Sequence, residues 1–136
     1  KLNTERKGQS IQTSRKFLPF ARKLMKGEYD QSGLRIFGFL KINITYIFHI
    51  RKIRNEIKNQ PANIKFRFVT DHFEAYFRIP IMKDEMELIQ FLDIKNKDEA
   101  LEKMSYHCIY NLDELFPEML KFWRTCSSIL EKDISL

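Results

Sequence analysis

The sequence predicts an α+β domain with an N-terminal helix, an antiparallel sheet of about four strands, and two or three C-terminal helices. Three observations carry that expectation. From residue 34 to residue 50 every second position is apolar except one glycine: Leu34, Ile36, Gly38, Leu40, Ile42, Ile44, Tyr46, Phe48 and Ile50. A period of two marks strands with one buried face. A second alternating pair follows, Ile64, Phe66, Phe68 and then Phe73, Ala75, Phe77, Ile79, Ile81, broken by the polar Thr70-Asp71-His72. After Ile81 the period becomes helical, with stripes Met82, Met86, Ile89, Leu92 and Ala100, Leu101, Met104, Cys108.

Taken in order, residues 1–14 hold only Leu2 and Ile11 as apolar side chains and read as a mobile basic arm. Residues 15–136 read as a single domain, long enough to close one hydrophobic core. Phe17, Ala21, Leu24 and Met25 fall at helical spacing; Pro19 suits a first turn and Gly27 can end the helix in a left-handed conformation. The first two strands divide near residues 41–43, where no strong turn dipeptide stands. Ile50, Ile53 and Ile57 have helical spacing, so the second strand can give way to a helical turn before Pro61. Residues 63–81 are expected to form a hairpin with Phe66, Phe68, Phe73 and Phe77 buried. The last helix carries Leu112, Leu115, Phe116, Met119, Trp123, Cys126 and Leu130, with Pro117 starting or kinking it.

Charge is divided along the chain. Residues 1–67 hold sixteen Lys or Arg against four acidic residues, and residues 68–136 hold eight against fourteen. The basic half is expected to meet a polyanion or an acidic protein, and the C-terminal helices a protein partner or a second copy. Two cysteines without a framework pattern fit a reducing compartment, and no apolar run reaches the length of a membrane span. An intracellular protein that binds no membrane is therefore expected, in cytoplasm or nucleus.

Little in the chain suggests catalysis. His49, His72 and His107 are far apart, and His107-Cys108 lacks a second ligand pair at zinc spacing. Asp71, His72 and Glu74 crowd a turn whose polarity explains them. Gly33 and Gly38 form no phosphate loop. No metal, cofactor or enzymatic activity is expected.

A charged face remains. If the apolar set faces the helices, the other sheet face gathers Arg35, Lys41, His49, Arg51, Lys65, Arg67 and Arg78, with Phe37, Phe39 and Tyr76 among them. Cations interleaved with aromatics bind phosphates and stack bases. The expected function is a non-enzymatic binding and assembly module whose basic half engages DNA or RNA. The rival is a protein-interaction module whose charge matches its partner.

Three resemblances accompany this reading. The order helix, four strands, helices over roughly residues 15–130 resembles the RWD-type interaction domains, although their proline motif is reduced here to Pro80. That resemblance implies a pure protein-interaction role in a larger complex. Residues 40–57, LKINITYIFHIRKIRNEI, resemble a helix-turn-helix, with 44–57 as recognition helix and 63–81 as a wing. This implies a DNA-binding regulator in which Thr45, His49, Lys52 and Asn55 approach bases and Arg51 and Arg54 touch phosphates. Residues 50–59, IRKIRNEIKN, resemble the Arg-Asn motif of HEPN and mannitol-repressor proteins through Arg54 and Asn55. Asn59 stands where that motif has histidine, and it cannot exchange the proton that ribonuclease chemistry requires.

Overall fold

The computed structural model describes residues 16–135; the basic arm lies outside the described residues. The architecture is α+β. Helix α1 (residues 16–25) leads through a short 3₁₀ turn to α2 (Arg35–Ile42) and α3 (Ile44–Asn59). The hairpin β1 (Lys65–Val69) and β2 (His72–Pro80) follows, then α4 (Met86–Ile89), α5 (Lys97–Lys103), β3 (Ser105–Asn111) and the long α6 (Leu112–Ile134). The sheet is a three-stranded antiparallel meander in the order β1-β2-β3.

α1 ends as its sequence requires. Gly27 has φ 82°, with its N–H donated to the Leu24 carbonyl and that of Glu28 to Lys23. That pair of bonds is the Schellman arrangement, which only a residue comfortable at positive φ completes without strain. Tyr29 then stacks on Phe37 at 4.6 Å and lies 5.5 Å from Phe20, so α1, the turn and α2 share one aromatic cluster.

Two expected strands are corrected to helices. Residues 34–50 form α2 and the start of α3. The stripe they bury is Ile36, Ile44 and Phe48, with Leu40 packed against the core. These positions are four apart and therefore also even-numbered, so an i, i+4 helical stripe hides inside a period of two. Apolar residues at odd positions, Phe37, Phe39 and Ile47, were the sign that neither face was wholly polar. The element order behind the RWD resemblance is accordingly not the observed one.

No side chain of Leu34 caps α2. The cap comes instead from the last turn of α6: Asp133 accepts the N–H of Arg35 at 3.1 Å and that of Ile36 at 2.9 Å. A buried carboxylate so placed satisfies two orphan donors and faces the positive end of the helix dipole. Phe122 of α6 packs between Phe39 of α2 and Tyr46 of α3, at 5.3 and 5.1 Å between ring centroids.

The third strand is the other correction. The sequence predicts one helical stripe through Ala100, Leu101, Met104 and Cys108; instead α5 stops at Met104, whose φ is 53°, and residues 105–111 run back beside β2. Directly paired residues share a sheet face. Ala75, Phe77 and Ile79 thus lie with Tyr106, Cys108 and Tyr110 on the face covered by helices. The hairpin at 63–81 is present, but its burial differs from expectation. Phe77 is buried, whereas Phe66, Phe68 and Phe73 are 64%, 61% and 54% exposed. They lie on the helix-facing side, but the helical layer does not extend over the β1 edge. Phe68 and Phe73 cover one another at 4.9 Å.

These placements have measurable consequences. Phe77→Ala should destabilise by about 3–5 kcal/mol, and Phe66→Ala by no more than about 0.5 kcal/mol, in denaturant titrations. Asp133→Ala removes a carboxylate that holds two buried donors and should cost about 1–3 kcal/mol. Asp133→Asn, which keeps one acceptor oxygen, should retain part of that stability in the same titrations.

Candidate nucleic-acid interface

The open face of the sheet is set by strand register. Lys65 pairs with Tyr76 and Arg67 with Glu74 across β1 and β2; Tyr76 pairs with Ile109 and Arg78 with His107 across β2 and β3. These residues share the face turned away from the helices. Tyr76 and His107 stack at 4.8 Å with planes 26° apart, and His107 and Ile109 are exposed. Lys65, Arg67 and Arg78 surround this platform and are exposed as well.

The cations are not equivalent. Arg67 Nε donates to Glu74 Oε1 at 2.8 Å, so its charge is partly matched. Arg78 Nε reaches Ser105 Oγ at 3.4 Å, a weak neutral contact. Among the described residues neither Lys65 nor Arg78 has an ion-pair partner. At the hairpin turn, His72 Nδ1 lies 3.0 Å from Asp71 Oδ1 and Nε2 3.5 Å from Glu74 Oε2. The hydrogen bond to Asp71 raises the His72 pKa, with Glu74 adding to it.

Four of the nine sequence-predicted site residues therefore meet on one surface: Lys65, Arg67, Tyr76 and Arg78. The other five do not, because the segment carrying them is helical and lies across the sheet from that surface. Arg35 opens α2, exposed, with its backbone N–H on Asp133. Lys41 Nζ lies 3.8 Å from Asp30 Oδ2. The Arg51 guanidinium sits 3.9 Å over the Phe17 ring, where burial lowers its pKa. Arg54 is exposed on α3. Phe37 and Phe39 belong to the aromatic clusters of α2, not to the sheet.

His49 is turned inward, and its surroundings bear on chemistry. Its Nδ1 lies 2.7 Å from Tyr106 Oη and 4.0 Å from Cys108 Sγ. Burial lowers the His49 pKa, and burial pushes the Cys108 thiol up to about 11. A cysteine nucleophile needs the opposite shift, toward thiolate. His49 Nδ1 and Tyr106 Oη instead share a hydrogen bond, and the Tyr106 pKa is itself raised by burial. The pair is a satisfied polar contact between α3 and β3.

The helix-turn-helix segment places its side chains in a similar way. α3 is helical and is followed by the hairpin, but Thr45 Oγ1 accepts the Asp93 N–H at 2.9 Å. Lys52 is buried, with Nζ 2.5 Å from Glu85 Oε1, which also accepts the Met82 N–H. Of the four side chains that would approach bases, Asn55 alone is exposed. Arg54, Asn55 and Asn59 are exposed together near the end of α3. Among the described residues no cluster of His, Cys, Asp and Glu could hold a metal ion, and no helix is long and apolar enough to cross a membrane.

The sequence reading missed His107 and Ile109 on the open face because it carried a helical stripe from Ala100 through Cys108 and read no strand there. Their signal was the alternation Tyr106, Cys108, Tyr110 against His107, Ile109. No protein family, curated protein or solved structure matches the chain.

The inward histidine yields a pH prediction. Its folded pKa is depressed, so the unfolded chain binds the proton more readily. Stability should be unaffected by His49 above about pH 6.5 and should fall as pH drops below that value toward the folded pKa. His49→Gln should flatten that acid limb. His72, with a raised folded pKa, acts in the opposite sense: its contribution is fully present below about pH 6.5 and is lost as pH rises through its folded value. Thermal unfolding of the wild type, His49→Gln and His72→Gln from about pH 5 to 9 separates the two windows.

Proposed function

We propose that this protein is a non-enzymatic binding and assembly module that takes a single-stranded nucleic acid on the open sheet face and a protein partner on its C-terminal helix. One observation carries the reading: Tyr76 and His107 stack on an exposed sheet face bordered by Lys65, Arg67 and Arg78. A flat aromatic platform accepts any base, because every base has a π-face, and adjacent cations follow the phosphates. The charge asymmetry of the chain supports the same end, since the basic half supplies β1. A sheet face is also too broad to follow the grooves of a duplex without a protruding element, so single strands are the better match.

The paired Glu74 limits what this face recognises. It withdraws Arg67 from full use and leaves Lys65 and Arg78, on the outer strand and across from His107, as the main phosphate contacts. Binding is then dominated by stacking with modest salt dependence, and sequence preference is weak.

Titration of labelled single-stranded DNA, single-stranded RNA and duplex DNA at several salt concentrations tests this. Tyr76→Ala should weaken single-strand binding by about 1–3 kcal/mol and leave duplex binding nearly unchanged. Lys65→Ala or Arg78→Ala should each reduce the log–log salt slope by about 0.7 on single strands. Absence of affinity for every nucleic acid at low salt refutes the polyanion half and favours an acidic protein partner. Duplex binding that depends on Arg54 and Asn55 while Tyr76 is neutral would favour the winged-helix reading.

A further inference from the structure

Helix α6 has two apolar stripes. The first, Leu112, Leu115, Met119, Phe122, Cys126 and Ile129, faces the body of the protein. The second is Phe116, Leu120, Trp123, Ser127, Leu130 and Ile134, turned about one-quarter of the way round the helix. Its spacings alternate four and three, the period of a coiled-coil seam. Every member is exposed: Phe116 67%, Trp123 63% and Ile134 82%. Large apolar side chains at five of six consecutive seam positions on a solvent face need cover.

We infer that the cover is α6 of a second copy, packed antiparallel about a two-fold axis passing near Thr125. This names the partner in the assembly half of the proposed function and rests on that half alone. The register follows from self-complementarity, because in an isologous pair residue i meets j and j meets i. In one antiparallel register all six positions find a partner. Phe116 meets Ile134, Leu120 meets Leu130, and Trp123 meets Ser127, each occurring twice about the axis. The largest side chain thus faces the smallest, the alternation that fills a seam without voids.

Charge selects the same register. Arg124 and Glu131 lie on the outer flank of the seam, and both are exposed. Antiparallel pairing in this register sets Arg124 of each chain beside Glu131 of the other, forming two equivalent ion pairs. On the inner flank, Met119 is half-buried and Cys126 buried against the chain's own body, so the second helix approaches from the Arg124–Glu131 side. A parallel pair is worse on both counts. It would place Trp123 on Trp123 and Ser127 on Ser127, and would leave Arg124 and Glu131 opposite Met119 and Cys126. α6 packs on the helical side of the sheet, so this dimer leaves the open sheet face accessible on each copy.

Sedimentation equilibrium of the chain over about 1 μM to 1 mM, in low salt, tests the inference. The wild type should self-associate to a dimer. Trp123→Glu should raise the dissociation constant by about 30-fold or more, with an unchanged circular-dichroism spectrum because the side chain is exposed. Arg124→Glu and Glu131→Arg should each weaken the dimer by opposing like charges, and the double variant should restore it. Tyr76→Ala should leave the dimer intact, and monomeric Trp123→Glu should still bind a single strand, so the two proposals succeed or fail separately. A wild type that stays monomeric, a dimer indifferent to Trp123→Glu, or a double variant no better than the singles would overturn the inference.

Discussion

The carboxylate of Asp133 on the first turn of α2 is the constraint on which the helical layer depends. α2 begins without a local cap, and its first free N–H groups point at a side chain 97 and 98 residues downstream. Because Asn43 alone separates α2 from α3, fixing the start of α2 fixes the entry of α3 onto the sheet. α6 must lie where it does for Asp133 to arrive, and Phe122, about three turns earlier on that helix, then falls between Phe39 and Tyr46. Polar cap and aromatic wedge are two ends of one docking event. A long helix packed only by apolar contacts can slide by a turn; one whose last turn must meet two amide donors cannot.

Beneath this layer, two polar contacts tie α3 to later segments. Lys52 continues the apolar stripe of α3 but carries its charge to Glu85, and its ammonium nitrogen lies 5.6 Å from the Phe48 ring centroid. Burial lowers the pKa of His49, whose Nδ1 shares a hydrogen bond with Tyr106 Oη. Both contacts join α3 to segments after the hairpin, α3 to the turn before α4 in one case and to β3 in the other. A buried ion pair adds little net stability, yet removing one partner leaves an uncompensated charge, so such pairs discriminate between registers more than they strengthen the fold.

The sheet divides the molecule into two surfaces with different chemistry. On one side, helices bury Ala75, Phe77 and Ile79 and carry outward the second stripe of α6. On the other, a small aromatic stack stands among cations. The same period of two that buries Phe77 turns the half-buried Tyr76 to the open face, so platform and core are consequences of one strand. Separating a binding face from an assembly face in this way lets each be occupied without displacing the other.

By itself the sequence determined the elements whose signals are local. Gly27 ends α1, the alternation of residues 64–81 makes a hairpin, and the heptad-like run from residue 112 makes α6. It also placed Lys65, Arg67 and Arg78 beside Tyr76, because they lie in strands whose parity is readable, but it added Arg35, Lys41, His49 and Arg51, which the helices carry elsewhere. Tertiary structure decided the rest. Residues 34–50 satisfy a strand and a helix equally well, since Ile36, Leu40, Ile44 and Phe48 are both four apart and alternate. The choice fell to helix because Asp133, Phe122 and Tyr106 supply a cap, a wedge and a polar partner only to that conformation. β3 was hidden for a related reason. α5 ends at a methionine in left-handed conformation, a stop with no glycine to announce it, and the strand beyond it is held by its register against β2. Local pattern decides where one period is possible; where two are, long-range partners decide.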